Sequence, residues 1–243
     1  MNYYSEKFLR DILYSEENKN LSKKELLSKY NIDFDKIYPL MKSSSADDRS
    51  IAADFLGFDQ TDATEKVLFD SINDDDELVR YNIFDSLFWS SNIQVFEKIK
   101  YFTQNEVWDV ARAQSIDTYW NIYWNIHGSE CSKEIFNYLT SLYDNDKSDY
   151  VKIHIAYYLY KLHDTDKLDY ILLQLHNSDY HVRNITIQFL SKLVINNDSQ
   201  LTKIQKAVYK AYSQEKILWI RKNMQGILVY NKELFNKIIK IKD

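Results

Sequence analysis

Three glycines and one proline in 243 residues leave this chain almost no turn chemistry. Average usage is ~7% and ~5%, and a β-sandwich or barrel spends such residues at each tight turn. Those folds are excluded in favour of an all-helical chain. The single cysteine, Cys131, has no partner for an internal disulfide, which fits a reducing compartment. No Cys-His pattern frames it as a nucleophile. No apolar run approaches the ~18 residues that span a bilayer. The opening MNYYSEKFLRDILYSEE has neither a basic start nor an apolar signal core. A cytoplasmic protein without membrane association is expected.

Catalytic signatures are equally scarce. Five histidines, His127, His154, His163, His176 and His181, show no metal-ligand spacing such as HExxH. There is no glycine-rich phosphate loop and no GxSxG elbow, although a Ser-His-Asp set can also assemble from remote positions. No metal, cofactor or enzymatic activity is expected.

What the chain does have is a repeat. Aligned on a basic residue, its copies centre on Arg49, Arg80, Arg112, Lys152, Arg183 and Arg221, with steps of 31, 32, 40, 31 and 38. Three residues after each stand Ala52, Ile83, Ser115, Ile155, Thr186 and Met224. Seven after stand Leu56, Leu87, Tyr119, Leu159, Leu190 and Leu228, and one before Asp48, Val79, Ala111, Val151, Val182 and Ile220. Offsets of −1, +3 and +7 share one side of a 3.6-residue helix, so each block predicts a buried stripe. A second amphipathic segment lies between blocks: 63–72, 93–102, 133–143, 168–176, 201–212 and 233–241. The unit is helix, turn, helix, and such a pair is stabilised by stacking on its neighbours. Residues 1–32 fit the repeat poorly and read as an N-terminal helical cap, helices 3–15 and 22–30, with Ser22 and Glu25 spaced as a capping box.

The copies Asp76/Val79/Arg80/Ile83/Leu87 and Asp179/Val182/Arg183/Thr186/Leu190, with Asp149/Val151/Lys152/Ile155/Leu159 displaced at the acid, resemble the second helix of short bacterial HEAT-like repeats. The resemblance covers residues 33–243. It implies an α-solenoid of about six helical hairpins, second helices on the concave surface, and aspartate–arginine ladders joining adjacent repeats. Arg112 and Arg221 stand in the weaker copies.

The charge is polarised along the chain. Residues 47–117 hold 16 acids and 6 bases, net −10, whereas 203–243 hold 10 bases and 3 acids, net +7. Asp54, Asp85 and Asp117 each lie five residues after the repeat's basic residue, so stacking predicts a row. The row is a candidate contact site; the alternative is that each aspartate pairs locally or faces water. Next to it, Trp120 and Trp124 lie one helical turn apart on the side of Asp117 and His127. Exposed, they would be interface anchors; otherwise they pack into the lengthened repeat that follows.

The expectation is a non-enzymatic protein–protein interaction protein that receives a basic partner on Asp54, Asp85, Asp117, Trp120 and Trp124. One narrower role is that of an immunity protein neutralising a bacterial toxin, by likeness of fold and charge. The alternative is a DNA glycosylase of HEAT-like repeats acting on alkylated bases, with Trp108-Asp109 or Trp120 and Asp117 in its cleft. Phosphate neutralisation dominates DNA affinity, and that region is the most negative of the chain, so nucleic acid is a disfavoured partner. Oligomeric state is left open.

Overall fold

A computed structural model describes residues 4–128, 133–195 and 200–229. Among them there is no strand, and no helix is long and apolar enough to cross a membrane. The chain divides into two compact units, residues 1–130 and 131–243. Cys131 and the predicted helix 233–241 lie outside the described residues.

In the first unit the helices are α1 (Glu6–Tyr14), α2 (Lys23–Tyr30), α3 (Ala46–Leu56), α4 (Asp62–Asp70), α5 (Glu77–Ser86), α6 (Ile93–Asn105) and α7 (Asp109–His127). Two 3₁₀ turns, Phe34–Lys36 and Tyr38–Lys42, precede α3. Local chemistry sets the boundaries. Ser22 and Glu25 form the expected capping box on α2, and Asn31 ends that helix in the left-handed region at φ 48°. Ser45, Thr61, Asp76 and Asn92 cap the four helices that follow.

Helix α1 packs on α3, and the second helices of the hairpins that follow pack side by side, α3 on α5 and α5 on α7. First helix α4 lies against α3 and α5, and α6 against α7. The +3 and +7 positions of α3, α5 and α7 and its flanking turns are buried, as the stripe predicts. Asp48 is the exception at −1. A carboxylate has no place in an apolar stripe, and it stays half-buried, accepting the Ser43 hydroxyl at 2.7 Å.

Hydroxyl groups fix the register between these helices. At +6, Ser86 donates to the Ala53 carbonyl and Thr118 to the Phe84 carbonyl, both at 2.8 Å. Each acceptor is the +4 residue of the preceding second helix, so the same bond recurs one repeat on. Gly57 permits the approach, because a Cβ there would lie 2.6 Å from Ser86 Oγ and 3.2 Å from its Cα.

The second unit comprises α8 (Lys133–Asn145), α9 (Asp149–Lys161), α10 (Lys167–Leu173) with a 3₁₀ extension Gln174–His176, α11 (Tyr180–Ile195), α12 (Leu201–Tyr212) and α13 (Leu218–Leu228). Helix α9 packs on α11 and α11 on α13, with α8 and α10 against α9 and α12 against α13. Here +6 is aromatic or aliphatic. Phe189 at +6 of α11 stacks on Tyr157 of α9, ring centres 4.3 Å apart and nearly parallel.

The repeat's arginines make ionic rungs, but with other acids than the HEAT-like pattern implies. Arg49 holds Asp74 through Nε and Nη2 at 2.7 and 2.8 Å. Arg80 holds Glu106 at 2.6 and 2.8 Å, and Arg183 holds Glu215 at 2.7 and 3.1 Å. These acids stand six residues before the next repeat's basic residue. Asp76 and Asp179 of the pattern instead accept backbone N–H groups at their own helix starts. A carboxylate at the cap is engaged locally, and the arginine reaches past it.

The −6 position has a constant second task. Its side chain accepts the backbone N–H two residues on, whether it is Ser43, Asp74, Glu106, Asp146, Asn177 or Glu215. The Nη1 of Arg49, Arg80, Arg112 and Arg183 donates to the backbone carbonyl of that same residue. In the weaker copies, Arg112 also reaches Asp109 Oδ1 at 3.0 Å, and Arg221 lies over the Tyr212 ring at 4.8 Å.

Candidate functional site

Asp54, Asp85 and Asp117 sit one residue before +6, on α3, α5 and α7. The hydroxyl bonds of Ser86 and Thr118 therefore set the register of Asp85 and Asp117 relative to the preceding helix. Since α3, α5 and α7 are consecutive neighbours, the three carboxylates occupy equivalent positions on adjacent helices. Asp85 is exposed; Asp54 and Asp117 are half-buried.

Two of the three are held by neutral donors from a neighbouring helix. Tyr14 of α1 donates its phenol to Asp54 Oδ2 at 2.7 Å. Gln114 of α7 donates Nε2 to Asp85 Oδ1 at 3.0 Å. Burial, then the hydrogen bond to Asp54, push the Tyr14 hydroxyl well above the usual tyrosine range, which keeps it a donor. The phenol bond does not cancel the Asp54 charge, and among the described residues no lysine or arginine pairs with it. The backbone carbonyl of Asp117 accepts from Asn121 at 2.9 Å.

The tryptophans do not extend the row as two exposed anchors. Trp120 is only 6% exposed, and Trp124 is half-buried, meeting it edge to face at 5.2 Å. The indole N–H of Trp124 is sealed from solvent without an acceptor. The cause lies in α7 itself. Its 19 residues bury Ile116, Tyr119, Trp120, Ile122 and Tyr123, which spread over more than one side of the helix. Phe96 of α6 stacks on Tyr119 at 4.8 Å, and His127 tilts against Tyr123 at 4.6 Å. The aromatic run is core, with Trp124 at its margin.

Trp108 and Asp109 stand at the start of α7. Asp109 is tied to Arg112, and Trp108 lies 6.1 Å from the ring of Tyr81. Sequence reasoning missed the rung acids Asp74, Glu106 and Glu215, whose common offset from the next basic residue was a readable signal. It also missed Tyr14, for which no local pattern exists. Compared with protein-family models and with curated proteins, the chain matches none.

Proposed function

We propose that this chain is a non-enzymatic HEAT-type repeat protein, an α-solenoid whose second helices in the first unit receive a basic protein partner. The observation that supports it is the repeated register of Asp54, Asp85 and Asp117, carried on helices locked by like hydrogen bonds. Carboxylates in fixed register form a linear charge pattern, and opposite charges on a partner accelerate encounter and select orientation. Trp120 is withdrawn from the contact set because it is buried; Trp124 borders it.

An immunity protein masking a basic bacterial toxin is the narrower role consistent with this charge, by analogy of fold and charge alone. The region's negative charge opposes a DNA glycosylase, since duplex affinity needs neutralised phosphates. Capture of partners at low salt, repeated at ~0.5 M where the Debye length is about 4 Å, tests the reading. The expected partner is lost at high salt and in the Asp54→Lys, Asp85→Lys, Asp117→Lys variant. A partner indifferent to both, or salt-sensitive duplex DNA binding with release of alkylated bases, would overturn it.

A further inference from the structure

On another side of the first unit, α4 and the turn between α5 and α6 enclose a cleft of about 540 Å³. Sites for small ligands span ~300–1,000 Å³, so it has room for one long side chain and its flanking backbone. One wall is the face of α4 that carries Asp62, Glu65, Lys66 and Phe69, spaced as i, i+3, i+4 and i+7. The other is Trp89 with Asn92.

The chemistry of the walls is one-sided. Glu65 accepts from Ser90 Oγ at 2.6 Å and from Asn92 Nδ2 at 2.8 Å, both neutral donors. Its orientation is fixed without a cation among the described residues. Asp62, in the first turn of α4, has no cation among the described residues, and Lys66 is committed to Asp70 at 3.0 Å. The carboxylates alone would be an ordinary solvated helix face. Trp89 makes the difference: it is half-buried at the cleft wall and no other ring among the described residues stacks on it. Its indole N–H is sealed from solvent without an acceptor, and the residue lines the cleft beside Asn92.

We infer that this cleft binds an arginine side chain of a basic protein partner, its guanidinium lying on Trp89 and its N–H fork directed at Glu65 and Asp62. A guanidinium is planar and weakly hydrated, stacks on indole, and presents paired donors that match carboxylates. A lysine ammonium meets the charge without the stacking. The inference rests on the proposal of a basic partner and gives it a second point of attachment, on α4 and the turn between α5 and α6.

The test uses short peptides and needs no natural partner. The full chain is labelled with ¹⁵N-tryptophan, and the Trp89 indole signal is identified by its loss in Trp89→Phe. The peptide acetyl-Gly-Arg-Gly-amide is titrated beside its lysine and citrulline analogues. The expected result is a saturable shift of the Trp89 signal by the arginine peptide. Binding should be several-fold weaker for lysine and absent for citrulline, which keeps the shape and loses the charge. Glu65→Gln, which keeps an acceptor for Ser90 but not for Asn92, should weaken the arginine peptide about tenfold, and Asp62→Asn by less, the latter with an unchanged unfolding temperature. The Asp54, Asp85, Asp117 variant should bind the peptide normally, so failure of the row and failure of the cleft are separate results. No saturable shift, equal binding of citrulline, or indifference to both carboxylate variants would overturn the inference.

Discussion

The two units solve one packing problem with different side chains. In the first, small hydroxyls at +6 bring neighbouring second helices together through bonds to a backbone carbonyl, and ionic rungs accompany them, Arg49–Asp74 and Arg80–Glu106. In the second, the step from α9 to α11 has neither device. A Tyr157–Phe189 stack replaces the hydroxyl, Lys152 lies over the Tyr143 ring, and Asn177 stands where an acid would receive it. The ionic rung returns at Arg183–Glu215. What persists through every copy is the backbone task of the −6 side chain. The repeat therefore keeps how each second helix begins, while its +5 position changes from Asp54, Asp85 and Asp117 in the first unit to Tyr157, Gln188 and Gly226 in the second.

The largest effect should come from removing a rung. The Glu106 side chain is 1% exposed, so Arg80→Ala leaves a buried charge without its partner, at a cost of ~3–5 kcal/mol. Lys152, which lies over the Tyr143 ring, holds no carboxylate among the described residues, so Lys152→Ala should cost less than ~1 kcal/mol. Urea unfolding of both variants measures the contrast, and equal losses would erase it.

Glycines give the next contrast. Gly57→Ala drives a methyl against Ser86, backbone included, and overpacking of this kind costs ~1–3 kcal/mol. Around Gly226, within α13, a Cβ meets nothing within 4 Å. Gly226→Ala should stabilise by ~0.4–1 kcal/mol through the entropy of the unfolded chain. Ser86→Ala and Thr118→Ala each remove one hydrogen bond, worth ~0.5–1.5 kcal/mol.

Acid should act through the rungs. Burial by itself would raise Glu106 and Glu215, but the arginine bonds and backbone N–H groups outweigh it and hold both below the ordinary 4.5. Asp74 is held below 3.8 by the same balance. Depressed folded-state values contribute stability that is fully present above the unfolded values and lost as pH falls through the folded ones. Unfolding temperature should therefore be flat from neutral pH to about 5 and fall below it. Glu106→Gln should flatten part of that fall.

Much of this was legible in the chain. Ser22 and Glu25 announced α2, and the −1, +3, +7 stripe named side chains that are almost all buried. The rungs were misassigned because Asp76 and Asp179 carry the expected spacing, while which carboxylate an arginine reaches depends on the neighbouring repeat. Trp120 was ambiguous for a related reason. A helix apolar on more than one side has no unique exposed face, and only its neighbours decide. The Asp54 partner, Tyr14, is forty residues away and left no trace in the repeat.

The most direct test separates position from net charge. Affinity for the basic partner is measured for the Asp54→Asn, Asp85→Asn, Asp117→Asn variant and for a matched variant, Asp35→Asn, Glu77→Gln, Glu97→Gln, of exposed acids in the same unit. The expected result is a large loss for the first and a small one for the second, with the difference vanishing at high salt. Equal losses would mean that bulk charge attracts the partner and that the aligned aspartates are no site.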